Sequence, residues 1–210
     1  MKIAVIAANG RTAGCIINEA VARGHEVTAF GRHAENNTKA QKYVKKDLFS
    51  LTADDLKGFD AVVDAVGTWT LETLYVVPKA AIFLADLVKG TNTRLLVVGG
   101  AGSLFTNKEH TSTLQLSPDF PDSYKGVSSS HALALEELRA TENVKWTYVS
   151  PAADFQADGE RTGKYILAGE EFTLNSKNES IISYADYAIA IVDEIEQGKH
   201  IAQRISVVRA

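Results

Sequence analysis

The first thirty residues constrain this chain more than any other stretch of it. Residues 2–7 (KIAVIA) read as a continuous apolar strand, too short for a helix and with no polar side chain after Lys2. That is the pattern of a parallel strand covered on both faces. A turn over residues 8–12 contains Gly10. A helix is predicted from about 13 to 23, with Cys15, Ile16, Ala20 and Val21 on one side. Gly24 supplies the stop, and residues 25–30 return as a second strand. Strand, glycine turn, helix and strand make one βαβ unit, which requires its strands to run parallel.

The alternation continues. Residues 43–46 read as a weak third strand, and Thr52 with Asp55 has the capping-box spacing that opens a short helix. Residues 60–66 (DAVVDAV) form a buried strand, 71–89 a helix that Pro78 must start or kink, and 94–98 (RLLVV) another buried strand. The polar stretch from 99 to 122 is an excursion over the active face, followed by a helix at 127–140 and a strand at 145–150. Beyond Pro151 a short hairpin is expected from 165–167 and 172–174. Ser183 then starts a helix over 184–197, and 203–208 is a final strand. This order predicts a three-layer αβα Rossmann fold with a mostly parallel, doubly wound sheet. No linker interrupts the 210 residues, so a single domain is expected, with residues 151–183 as a small substrate-side excursion. Ligands of such sheets bind beyond the carboxyl ends of the strands, here the turns after residues 7, 30, 66, 98 and 150.

Composition removes several classes of function. A formal net charge of −4 gives no electrostatic case for nucleic acid. No apolar run approaches a membrane span, and the N-terminal apolar run is short, ending at Asn9-Gly10-Arg11 without a cleavage-type region. The single Cys15 fits a reducing compartment, so a cytoplasmic monomer or homodimer acting on a small molecule is expected, with no metal site.

The first turn carries the chemistry. It reads Ala7-Ala8-Asn9-Gly10-Arg11-Thr12-Ala13-Gly14, a reduced form of G-x-x-G-x-x-G with alanine in the first and third places. Gly10 lets backbone approach a pyrophosphate, which the free N–H groups of the following helix would attract. Arg11 and Thr12 add a cation and a hydroxyl. At the end of the second strand, where NAD-specific folds place a carboxylate, the sequence reads Phe30-Gly31-Arg32-His33, and no carboxylate follows before Glu35. Arg32 therefore points to the 2′-phosphate of NADP(H), with NAD(H) as the other choice.

The blocks MKIAVIAANGRTAG, RGHEVTAFGR, RLLVVGGAGSL, WTYVSPAADFQADGERTGKY and ISYADYAIAIVDEIEQGKH resemble the atypical short-chain dehydrogenase/reductase group over nearly the whole chain. The branch they resemble is that of NAD(P)H-binding or NADH-flavin reductase proteins, with NmrA-like and biliverdin-reductase-B-like proteins as more distant relatives. The resemblance implies a nicotinamide cofactor. It implies a phosphate loop at Ala7, Asn9, Gly10, Arg11 and Thr12, and a 2′-phosphate or adenosine contact at Arg32. It further implies adenine and ribose contacts at Asp64, Ala65, Val66 and Gly67, a strand end at Gly99 and Gly100, and a nicotinamide-side segment at Ser150, Pro151 and Ala152. Ala7 in place of the first glycine is expected to tighten the turn and weaken binding.

The Tyr-x-x-x-Lys pair of standard short-chain dehydrogenases is missing: its places fall on Ser129 and Leu133. Tyr124 and His131 remain as candidate acids, although His131 reads more simply as a helix-surface histidine and Tyr124 equally well as a loop-packing ring. Trp69 and Phe155 are candidate walls of an acceptor pocket, and Arg161 reads as a structural ion-pair partner before a substrate anchor. Hydride transfer to a flavin, quinone or similar flat acceptor is compatible with such a site, because those rings stabilise their own reduced anion. The alternatives are a non-catalytic NADP(H)-binding redox sensor and, last, a sugar-nucleotide epimerase or dehydratase.

Overall fold

The computed structural model describes residues 1–210. Alternate side chains of the central strands enter opposite cores. In β1 (Lys2–Ile6), Ile3 and Val5 face one side, and Ala4 and Ile6 the other. Positions 3–6 therefore have to be apolar, which is why the run after Lys2 has no polar breaks. The turn after β1 is built on Ala7, whose backbone is left-handed (φ 58°) and whose carbonyl accepts from Gly10 N–H at 3.0 Å. Gly10 is extended and caps α1 (Arg11–Ala22), so the helix begins two residues earlier than expected. Its buried positions Ala13, Ile16, Ile17 and Ala20 follow helical spacing and face the sheet. The chain then forms β2 (Glu26–Gly31), β3 (Lys42–Lys45) and α2 (Ala53–Leu56), with the Asp55 carboxylate accepting from the Thr52 N–H at 2.7 Å.

β4 (Ala61–Asp64) is followed by a single 3₁₀ turn at Leu71–Thr73 and then α3 (Val76–Val88). The expected single helix over 71–89 is thus divided. Pro78 lies in the first turn of α3, where its lack of an N–H costs no helix bond. β5 (Arg94–Val98) leads through an irregular excursion to α4 (Asp122–Arg139). That helix starts five residues before the expected 127, directly after Pro121. β6 (Lys145–Ser150), β7 (Asp154–Gln156), β8 (Tyr165–Ala168), β9 (Ile181–Ser183), α5 (Tyr184–Gln197) and β10 (Gln203–Arg209) complete the chain.

The main sheet has the order β3-β2-β1-β4-β5-β6-β10-β8, and all its pairs are parallel except β10 with β8. α1 and α5 cover one face over a core around Ile3, Val5 and Ile205. α3 and α4 cover the other over Ile6, Val97 and Trp146. This is the doubly wound Rossmann-like arrangement, and the order reverses between β1 and β4. The expected hairpin of 165–167 with 172–174 does not form. Tyr165–Ala168 pairs antiparallel with β10 as an edge strand of the main sheet. Phe172 instead donates its N–H to the Phe105 carbonyl at 2.8 Å, tying this segment to the excursion after β5. β7 and β9 form their own two-stranded parallel sheet.

At the end of the molecule away from the switch point, buried Arg94 donates to Glu194 Oε1 at 2.6 Å and to Thr147 Oγ1 at 2.8 Å. His200 Nδ1 lies 2.6 Å from Glu194 Oε2. These bonds fasten α5 to the base of β5 and β6.

Candidate functional site

The carboxyl ends of the parallel strands open on a cavity of about 1050 Å³. Its floor is the turn at Gly10, Arg11 and Thr12, the segment Ala65–Gly67 after β4, Gly99 and Gly100 after β5, and Pro151 and Ala152 after β6. Its walls include Trp69, Tyr124, His131, Phe155, Phe172 and Tyr184. The fold thus brings most of the residues singled out from the sequence into one space.

The α1 end of the cavity is a donor surface. No side chain caps this helix, and no carboxylate occupies its first turn. The N–H groups of Arg11, Thr12 and Ala13 have no partner within the chain. The Arg11 guanidinium is exposed and pairs with Asp158, which reaches over from the segment after β7. That ion pair holds the guanidinium above its ordinary value. A helix start with free N–H groups, a cation and a hydroxyl is the donor set that a pyrophosphate requires.

Some expected residues lie just outside the cavity. Asn9 Oδ1 sits 3.1 Å from the Tyr43 hydroxyl, and its Nδ2 is buried without a partner. Both side chains occupy the space above Gly31, where an added Cβ would stand 2.3 Å from Asn9 Oδ1 and 2.6 Å from the Tyr43 oxygen. Gly31 and Tyr43 were not among the expected site residues; a glycine closing an otherwise apolar strand was the available signal. Arg32, the next residue, is exposed and makes no ion pair or hydrogen bond. Ala7 shapes the turn through its backbone. Asp64 departs from expectation: its carboxylate turns inward, is 3% exposed, and accepts from Val66 N–H at 3.0 Å. With no cation beside it, burial raises its pKa to about 7. It shapes the turn after β4 and does not reach the cavity. Ser150 is likewise fully buried, with its Oγ unpartnered, so only Pro151 and Ala152 of that segment face the cavity.

The glycines after β5 are needed by what lies behind them. A Cβ on Gly99 would fall 2.2 Å from the Tyr148 ring, and one on Gly100 would fall 3.0 Å from His131 Cβ. The Tyr148 hydroxyl accepts from Gly100 N–H and donates to the His131 carbonyl, both at 3.0 Å, so strand end and helix α4 are locked together. His131 is therefore not a surface residue. It is 9% exposed, its ring lines the cavity, and its Nδ1 is buried without a partner. Burial lowers its pKa to about 4, which keeps the imidazole neutral near pH 7.

Tyr124 belongs to the first turn of α4, not to a loop. Its ring meets Trp69 edge-to-face at 5.8 Å across the mouth of the cavity. Phe155 packs against Tyr184 at 4.2 Å and Tyr187 at 4.8 Å, so its wall is continuous with the core. Arg161 pairs with Glu19 of α1 at 3.0 Å, a structural role. Cys15 is half-buried against the core, and burial pushes its thiol up, so less of it is thiolate at neutral pH. The rings Phe172 and Tyr184 were not expected here; Phe172 lies in the segment whose expected hairpin does not form, and Tyr184 opens α5.

No helix is long and apolar enough to cross a membrane. Residues 7–197 match the profile of the family described as NAD(P)H-binding. The chain is 43% identical over 209 residues to YwnB of Bacillus subtilis strain 168, covering 99% of this chain and 98% of YwnB. The crystal structure of SP1627 from Streptococcus pneumoniae, a provisionally named NADH-flavin reductase, superposes with a TM-score of 0.97 at 54% identity, covering all of both chains. A Burkholderia pseudomallei protein described as exported gives a TM-score of 0.86 at 36% identity, over 99% of each chain. Together with a donor surface suited to pyrophosphate at the head of α1, these matches identify the chain as a member of the NAD(P)H-binding family.

Proposed function

We propose that this protein is an NADPH-preferring oxidoreductase that reduces a flavin, quinone or similar flat acceptor by hydride transfer. The observation that carries the reading is that the uncapped start of α1 and a set of aromatic walls open on the same cavity. A bound reduced nicotinamide supplies the hydride, and the acceptor gains that hydride with one proton taken from water. The N–H groups of Arg11, Thr12 and Ala13 hold the pyrophosphate, and Arg11 exchanges Asp158 for a phosphate oxygen. Arg32 has no partner within the chain and is free to pair with a 2′-phosphate. Asn9 supports the turn, and Ala65–Gly67 line the ribose side. Gly99, Gly100, Pro151 and Ala152 present backbone and small side chains to the nicotinamide, which lets the ring lie close to the strand ends. Trp69 and Phe155 sandwich the acceptor and exclude water. His131, neutral and without a hydrogen-bond partner for its ring, offers one bond to an acceptor heteroatom, and Tyr124 closes the rim.

The similarity to SP1627 supports the activity class, and the unpaired Arg32 supports NADPH. The test is oxidation of NADPH and NADH with a panel of flavins and quinones. Turnover above the protein-free rate is expected, and none across the panel would defeat the reading. Arg32→Glu should weaken NADPH binding by about tenfold or more and leave NADH binding within about threefold. Equal losses would remove the 2′-phosphate role.

A second reading, a cofactor-binding redox sensor, is favoured by one feature. The face that α4 turns to the cavity carries Tyr124, Val127, Ser128 and His131, with no lysine to lower a tyrosine pKa. Tight NADPH binding with no turnover would select it.

A further inference from the structure

The charges around the cavity discriminate between acceptors. Its lining holds three formally charged side chains: Arg11, Asp119 and Asp154. Arg11 belongs to the turn at the head of α1, and Asp158 already pairs with it. In the proposed function that guanidinium serves the pyrophosphate, so no cation remains for an acceptor. Asp119 has no ion pair or hydrogen bond. The Asp154 carboxylate accepts only from the Gln156 side-chain amide, at 2.9 Å. Two uncompensated carboxylates, both exposed, thus line the same cavity as Trp69 and Phe155.

We infer that the acceptor is an uncharged planar ring, and that the cavity selects against one carrying a phosphate. This rests on the proposed reductase function and narrows it. Riboflavin and FMN share one ring system and differ only in a phosphate, so they isolate the effect. A phosphate dianion entering a cavity lined by two carboxylates and no free cation is repelled even where water screens the charges. The apolar rings meanwhile reward the isoalloxazine face equally in both molecules.

The experiment has two steps on the full chain. NADP⁺ is first titrated by calorimetry; absence of binding would remove the reductase reading and this inference with it. Riboflavin and FMN are then titrated into the NADP⁺-loaded protein at low salt, with quenching of flavin fluorescence as the readout. Riboflavin is expected to bind about tenfold more tightly than FMN. The ratio should shrink as sodium chloride is raised and again in the double variant Asp119→Asn/Asp154→Asn. If NADP⁺ binds but FMN binds as tightly as riboflavin, if neither flavin binds, or if the double variant leaves the ratio unchanged, the inference is overturned while dinucleotide binding stands.

Discussion

Ala7 holds a conformation that suits glycine better. Its φ of 58° places a methyl group against its own following carbonyl, and the bond from Gly10 N–H fixes the turn in that state. Ala7→Gly should therefore stabilise the fold by about 1 kcal/mol net of the entropy it adds to the unfolded chain, raising Tm by roughly 2–4 °C. A melting curve that fails to rise would show that the turn is unstrained. Asp64 makes a sharper case. Burial favours its neutral form in the folded state, with a pKa of about 7 against 3.8 unfolded. A raised carboxyl pKa stabilises the fold at acid pH, and that contribution is lost between about pH 4 and pH 7. Asp64→Asn keeps an oxygen for the Val66 N–H and cannot ionise. It should be more stable than the parent at pH 8, by up to about 4 kcal/mol, with the gain vanishing near pH 4. A gain independent of pH, measured by urea unfolding at both values, would contradict the assigned burial. Asp64 was misread from the sequence because an acid at a strand end suits both a ribose contact and a loop cap, and only the fold shows which N–H is nearer. His131 was misread for a related reason: the serines around it blur the periodicity of α4, since the helix face over the cavity is polar.

The elements that were legible are those covered on both sides. β1, β4, β5 and β6 read as strands because their central positions mostly enter one of two cores, and apolar runs result. The strand at 165–167 was legible but its pairing was not, because an edge strand is only half-buried and its partner, β10, lies much later in the chain. What holds that region is polar. The Arg204 side chain is fully buried; it donates to Ser103 Oγ at 2.9 Å, to the Glu170 carbonyl at 3.1 Å and to the Glu170 carboxylate. Arg139 meets the same carboxylate through both oxygens at 2.7 Å. The strand β10 thereby ties the excursion after β5 to the chain entering the cavity wall at Phe172. Arg204→Met removes the charge from a buried network and should cost about 3–5 kcal/mol. Limited proteolysis should then cut first within residues 101–116, and NADP⁺ affinity should fall less than acceptor affinity. Cleavage elsewhere, with equal loss of both ligands, would deny the element this role.

Across the whole molecule the work divides between two sides of one sheet end. The first half of the chain builds the donor surface at α1 and the reversal of strand order between β1 and β4. The second half supplies most of the aromatic wall and the ion pairs of Asp158 and Arg161 that reach back to α1. The glycine turn after β1 could be read from residue order alone, because it is local in sequence. The wall could be read only in part: Trp69 and Phe155 were expected there, but Phe172 and Tyr184 were not, since those rings join the wall only through long-range pairing.

The proposed cofactor site requires the start of α1 to grip a pyrophosphate that passes Gly10. A Cβ at Gly10 has ordinary space, with the Ala7 carbonyl at 3.4 Å, so Gly10→Val should fold while its branched side chain fills the approach to the helix. The decisive measurement is parallel calorimetric titration of NADPH into the parent and Gly10→Val, with melting curves on both. Single-site binding by the parent and an affinity at least about tenfold weaker in the variant, at nearly unchanged Tm, is the predicted result. Equal affinities, or no heat from a folded parent, would contradict it.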